Sequence, residues 1–398
     1  MRKLLFVSLL ILPLLFGCGN DTSEEASNKA TEKASTEVKV ESNESTEISF
    51  DTYETTDELY ELAKEEGEVV FYTATSAGEQ AGLAFEDAYP GVKVSVTKVS
   101  DPQIHERIQR EHESGVNNAD VIFGKGTNGS WANELLTNDY IMEYKPEEIM
   151  KHIDDPYKSY KGLPVISEII TIIYNTDHHD EPPFDNWWDL TTDEWTSKIL
   201  FKDPLSAPDI QGLFMTMVKH SDDMEKAYEE KFGEPIELDG TENAGYEFIK
   251  RLLDNDAILM SSMGDTVDAV ADSREDHSVV AIASTTKLRD VVQKDAAIGI
   301  NIDLKPKVSV PGTSKLFVTS NVENIAATKL FIRYLTGGED GTGEGFDSFN
   351  NPGTFSVRND IEQDDLIPSL AELNLWEEDE QYFYENQDEM HNFLLKIQ

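Results

Sequence analysis

The sequence has 398 residues, 39% of them hydrophobic, with 78 acidic side chains against 33 basic ones and a formal net charge of -45. That length suits two domains of ordinary size, and the apolar share is enough to build real cores. The charge repels nucleic acid and anionic membrane, which excludes a polyanionic partner; the acids are spread along the chain, as a solvating surface would have them.

In chain order, Arg2 and Lys3 precede an apolar run over residues 4–16 that closes at Gly17-Cys18. The run is shorter than the roughly 20 residues a bilayer span needs. Cys18 is the sole cysteine, so no internal disulfide forms. These residues resemble a bacterial lipoprotein signal, which implies that Cys18 becomes the lipidated N-terminus on the outer face of a cell membrane. Residues 19–54 are Ser, Thr, Glu, Asn, Lys and Ala with few large apolar side chains, a composition expected to form a disordered acidic tether.

Order is expected from about Asp57. A helix ends at Gly67, a buried strand covers 69–73, and a helix over 77–89 stops at Pro90-Gly91. A strand over 92–99, a helix over 102–114, a strand over 120–123 and a helix over 130–137 follow. Such alternation predicts an α/β fold with ligands at the carboxyl ends of the strands. Further strands are expected at 169–174, 199–201, 257–260, 279–283, 297–304 and 315–319. Helices are expected at 210–220, 245–253, 323–335, 368–373 and 381–395.

Four stretches carry a family resemblance: LYELAKEEGEVVFYT over 59–73, FEDAYPGVKV over 85–94, NWWDL over 186–190 with Glu194-Trp195 and Lys202-Asp203-Pro204, and AATKLFI over 326–332 with Arg358 behind it. In this order they resemble the substrate-binding lipoproteins of bacterial ABC importers, in the branch of ferric-iron, phosphonate and phosphosugar binders. The resemblance implies a two-lobed type 2 periplasmic-binding fold, two mixed sheets flanked by helices and joined by a two-strand hinge. Residues 55–172 and 312–398 would form lobe 1 and residues 173–311 lobe 2, with crossings near Ile173 to Asn175 and near Pro306 to Pro311. It also implies a monomer without cofactor or catalysis, carrying a small-molecule ligand to an ABC permease.

The expected ligand-binding residues follow strands. Thr73, Thr75 and Ser76 offer hydroxyls and free backbone N–H groups to an anion, or simply cap the next helix. Lys125, Gly126 and Thr127 lie in a glycine-rich loop whose place after a third strand argues against a dinucleotide site. Asp203 and Ser206, then Ser262, Met263, Gly264 and Asp265, would face them from lobe 2, and Tyr174 and Asn175 stand at the expected hinge. These hydroxyl and amide donors suit a phosphoryl or other oxyanion. Ferric iron is the first alternative, although no Tyr-Tyr dipeptide occurs and no His follows the first strand. A polyamine held by Trp131, Asp203 and Asp265 is the second. A tethered sensor or a secreted hydrolase is the other class, but no Gly-x-Ser-x-Gly or His-Glu-x-x-His motif is present.

Overall fold

The computed structural model describes residues 48–116, 118–363 and 367–398. The expected lipoprotein signal over 1–18, with Cys18, and residues 19–47 of the expected tether lie outside them.

The first half opens with α1 (Thr56–Glu66), where Thr55 Oγ1 accepts from Glu58 N and the Glu58 carboxylate accepts from Thr55 N. Gly67, at φ 88°, supplies the left-handed residue that ends this helix. β1 (Glu68–Thr73) then pairs in parallel with β2 (Lys93–Lys98) and β3 (Val121–Gly124). Helices α2 (Ser76–Ala88) and α3 (Asp101–Ser114) form the crossovers. After β4 (Ile141–Met142) and α4 (Glu147–Met150) comes the long strand β5 (Leu163–Asn175), all but one of whose residues are buried.

The second half holds β6 (Ile199–Lys202), α5 (Pro208–Lys219), α6 (Ser221–Phe232), α7 (Ala244–Asp254) and β7 (Ile258–Met260). It continues with α8 (Met263–Ala271), β8 (Val280–Ser284), α9 (Arg289–Lys294) and β9 (Ile298–Ile300). The chain returns through β10 (Pro311–Thr319), α10 (Ile325–Leu335) and β11 (Phe355–Ser356), and finishes in α11 (Glu380–Ile397).

Hydrogen bonding follows the order β2-β1-β3-β10-β5-β8-β6-β7, with β4, β9 and β11 attached at the sides. β5 belongs to both halves: Leu163 to Ile169 pair with β10, while Ile170 to Ile173 pair with β8. Each half buries its own core. In the first, Phe71 and Phe85 meet Phe331 of α10 edge to face at 4.9 and 5.0 Å. In the second, Trp187 and Trp188 pack on Phe248 of α7.

Several expectations shift. The polypeptide is already fixed at Ile48, not first near Asp57, because the buried Lys329 ammonium takes Ser49 O, Thr52 O and the Glu54 carboxylate as partners. β5 starts six residues before the expected 169, since Ser167 and Glu168 interrupt an apolar run that the sheet nevertheless continues through. It changes partners between Ile169 and Ile170, ahead of the expected Ile173. The strand expected over 297–304 stops at Ile300, beyond which the Asn301 side chain turns to Phe184 O. Residues 131–136 form one wide helical turn, and the tail helix shrinks to a turn at Leu370–Glu372. The expected lobe 1 range reaches residue 398, yet Phe383, Met390 and Leu394 of α11 join the core of the second half.

Candidate functional site

Between the halves lies a cleft of about 610 Å³. One wall is built at the carboxyl ends of β1 and β3 by Thr75, the start of α3 at Asp101, and the loop Lys125 to Gly129. Lys202, Ser206 and the first turns of α5, including Asp209 and Gln211, form the opposite wall. Glu168 and Ile170 of β5 stand at the back, beside Pro311 and Gly312 of β10. A third wall comes from the start of α11 and the segment before it, with Glu378, Glu380, Phe383, Gln387 and His391. The walls approach closely: Asn128 Oδ1 lies 3.7 Å from where a side chain on Gly212 of α5 would begin.

Charge is the most informative property of this lining. It carries five carboxyl groups (Asp101, Glu168, Asp209, Glu378 and Glu380) against two lysines, Lys125 and Lys202. Lys125 is already engaged in an ion pair with Glu168, whose other oxygen accepts from Ser284 Oγ at 2.8 Å. Burial works against both charges, yet each stabilises the other: Lys125 is held above its ordinary range and Glu168 below it. Glu380 is likewise engaged, by the buried Lys315 of β10.

Asp101 and Glu378 are left poorer. Burial pushes the Asp101 carboxyl up to about 6 despite the pull of Lys125 and of the Lys125 and Gly126 backbone N–H groups, and its Oδ1 makes no well-formed hydrogen bond among the described residues. That oxygen sits against Gly124, where a Cβ would come within 1.9 Å of it, so only glycine admits the carboxyl there. Glu378 is pushed by burial to about 7, against the pull of Lys315, and accepts from Thr313 Oγ1 at 2.8 Å. Thr127 Oγ1 is a second buried atom without a partner in the same region. Buried polar atoms in native proteins are normally satisfied, so these two mark strain in the packing behind the cleft loop.

The sequence-derived site residues divide. Thr75, Lys125, Thr127 and Ser206 lie in the cleft lining, and Gly126 sits within the same loop at φ 81°. Thr75 also caps α2 through Gly78 N at 2.9 Å, Thr73 is wholly buried and accepts from Thr75 N, and Ser76 faces solvent beside Lys98. Tyr174 packs against His179, and the Asn175 amide donates to Val270 O and Ala271 O, so both serve the second core. Asp203 caps Leu205 N, and Ser262 caps α8 at Gly264 N. Met263 sulfur accepts from Ser284 N, Gly264 lies beside Lys287, and Asp265 is exposed. The Trp131, Asp203 and Asp265 grouping does not form in the cleft, since Trp131 is buried in a core behind the loop. Asp101, Glu168, Asp209, Glu378 and Glu380 went unread; Asp101 alone carried a local signal, lying directly after the helix cap Ser100.

Among the described residues no group of three or more His, Cys, Asp or Glu side chains is arranged to hold a metal ion. No helix among them is long and apolar enough to cross a membrane.

The sequence matches the family described as bacterial extracellular solute-binding protein over residues 80–360. Iron-bound HitA from Pseudomonas aeruginosa superposes with a TM-score of 0.62 at 14% identity, covering 83% of this chain and 99% of that one. AfuA from Actinobacillus pleuropneumoniae, solved with exogenous fructose-6-phosphate bound, gives 0.61 at 17% identity, covering 83% and 98%. Apo ferric ion-binding protein A from Pasteurella haemolytica gives 0.60 at 18% identity, again covering 83% and 98%. No curated protein matches the sequence. At such identities the likeness carries the fold alone, that of the two-lobed periplasmic binding proteins.

Proposed function

The chain belongs to the bacterial extracellular solute-binding protein family, and from that premise we propose that it captures a small solute bearing a positively charged group in the cleft between its lobes. It then delivers that solute to the permease of an ABC importer, without catalysis. Cys18 would anchor the monomer by lipid at the outer face of the cell membrane.

One observation supports the choice of charge. Asp101, Asp209 and Glu378 enter the cleft without an ion-pair partner among the described residues, whereas Lys125 is committed to Glu168. An entering ammonium or similar cation compensates the Asp101, Asp209 and Glu378 carboxyls lining the cleft, two of which burial penalises. The oxyanion expected from the hydroxyl-rich loops meets more carboxylates than lysines: Lys125 is neutralised by Glu168, which leaves Lys202 on the opposite wall to face Asp101, Asp209 and Glu378. Ferric iron finds no cluster of ligating side chains among the described residues.

A thermal-denaturation screen tests this reading, with spermidine and thiamine as cationic probes and fructose 6-phosphate and ferric citrate as rivals. A probe at about 100 times its dissociation constant adds about 2.7 kcal/mol to stability. A cationic probe is expected to raise the melting temperature, and Asp209→Asn to remove the shift. A rise with fructose 6-phosphate or ferric citrate alone would overturn the assignment.

A further inference from the structure

Residues 374–397 lie beyond the family-matched part of the chain, yet they touch both lobes. A stretch before α11 runs beside the return crossing, with Val308 N donating to Asn374 O and Trp376 N to Ser309 O, each at 2.9 Å. From there the segment is secured on the second lobe. Trp376 Nε1 donates to Asp223 at 2.9 Å, Lys219 pairs with Asp379 at 2.5 Å, and Tyr246 Oη donates to Glu389 at 2.6 Å. Phe383, Met390 and Leu394 are buried in that lobe's core.

Its first turn reaches the other way. Glu380 pairs with Lys315, and Glu378 takes the Thr313 hydroxyl; both partners are on β10, within the first lobe's sheet. The Glu380 carbonyl also presses on the cleft loop, 2.4 Å from where a Cβ on Gly129 would lie.

We propose that this C-terminal segment is a latch that holds the two lobes together through the Glu380–Lys315 pair. Lys315 is only 2% exposed, so with the lobes together its ammonium needs the carboxylates of this segment, Glu380 in direct contact and Glu378 beside it. With the lobes apart, water can solvate both groups. The pair therefore contributes only to the closed arrangement, and such differential contact is what shifts a two-state population.

The test needs no ligand. Spin labels are placed at Leu83→Cys on α2 and Val292→Cys on α9, both well exposed, in a Cys18→Ser background, and their distance distribution is measured by pulsed electron resonance. Glu380→Gln is expected to move population from the closed distance to a second one, while Glu389→Gln, on the second-lobe side only, leaves the distribution unchanged. An identical distribution in Glu380→Gln and in the unmodified background would overturn the latch. Should Glu380→Gln fail to fold, Lys315→Met/Glu380→Gln, which strands no ammonium, must show the same displacement or the latch is wrong.

Discussion

Burial holds Asp101, Asp120 and Glu378 above their ordinary range, to about 6, 6 and 7, outweighing Lys125 at the first, the Val70 N–H at the second and Lys315 at the third. A carboxyl whose folded value exceeds its unfolded one favours the fold when protonated, so its contribution is full below the unfolded value and is lost as pH rises through the folded one. Glu168, Glu247 and Asp360 are held below their ordinary range, against burial, by their Lys and Arg partners and hydrogen bonds, and lose their contribution only as pH falls through those lowered values. The melting temperature should therefore rise as pH is lowered from about 8 to about 5, then fall in stronger acid. Asp101→Asn should raise it at the alkaline end and change it little near pH 5, as differential scanning calorimetry would show. The Lys125–Glu168 pair gives a second outcome. Lys125→Met strands a half-buried carboxylate and should cost about 2 kcal/mol in urea denaturation, with Lys125→Met/Glu168→Gln recovering most of it. Thr75, Lys125 and Thr127 were legible because each follows a buried strand. The acids were not: 78 are scattered through the sequence, and only the folded topology selects the few that converge.

Local signals named most elements. The Gly67 stop, the Pro90-Gly91 stop and the apolar strands β1, β3 and β8 each carry their own physical cue. α6 was missed because acidic and basic residues crowd a helix with only Met224, Ala227 and Tyr228 buried. α8 hid behind Ser262 to Asp265, read as a ligand loop when Ser262 is in fact its cap. Glycines mark where elements meet. Gly353 has φ 81°, and a Cβ there would come within 1.8 Å of Thr285 O, while its own carbonyl accepts from Thr285 Oγ1. Gly353→Ala should destabilise the fold in urea denaturation by well over the roughly 1 kcal/mol that Gly→Ala gains at a compatible site.

The alternation of strands and helices pointed to the α/β architecture, and the four family-like stretches to its two lobes. Where α11 would pack was not readable, because Phe383, Met390 and Leu394 define an apolar face without saying which core receives it. At this scale the charge of -45 also acts: self-repulsion opposes the compact state, and salt screens it. Raising sodium chloride from about 20 mM to about 1 M should therefore raise the melting temperature, measured without ligand.

The sign of the solute's charge is the central claim, and proton exchange on binding reports it directly. Calorimetric titration at about pH 6.5, in two buffers of different ionisation enthalpy, should be run with the solute that raises the melting temperature. A cation seated beside Asp101 and Glu378 lowers both carboxyls, so the account predicts net proton release. Net proton uptake, as an anion would cause, would contradict it.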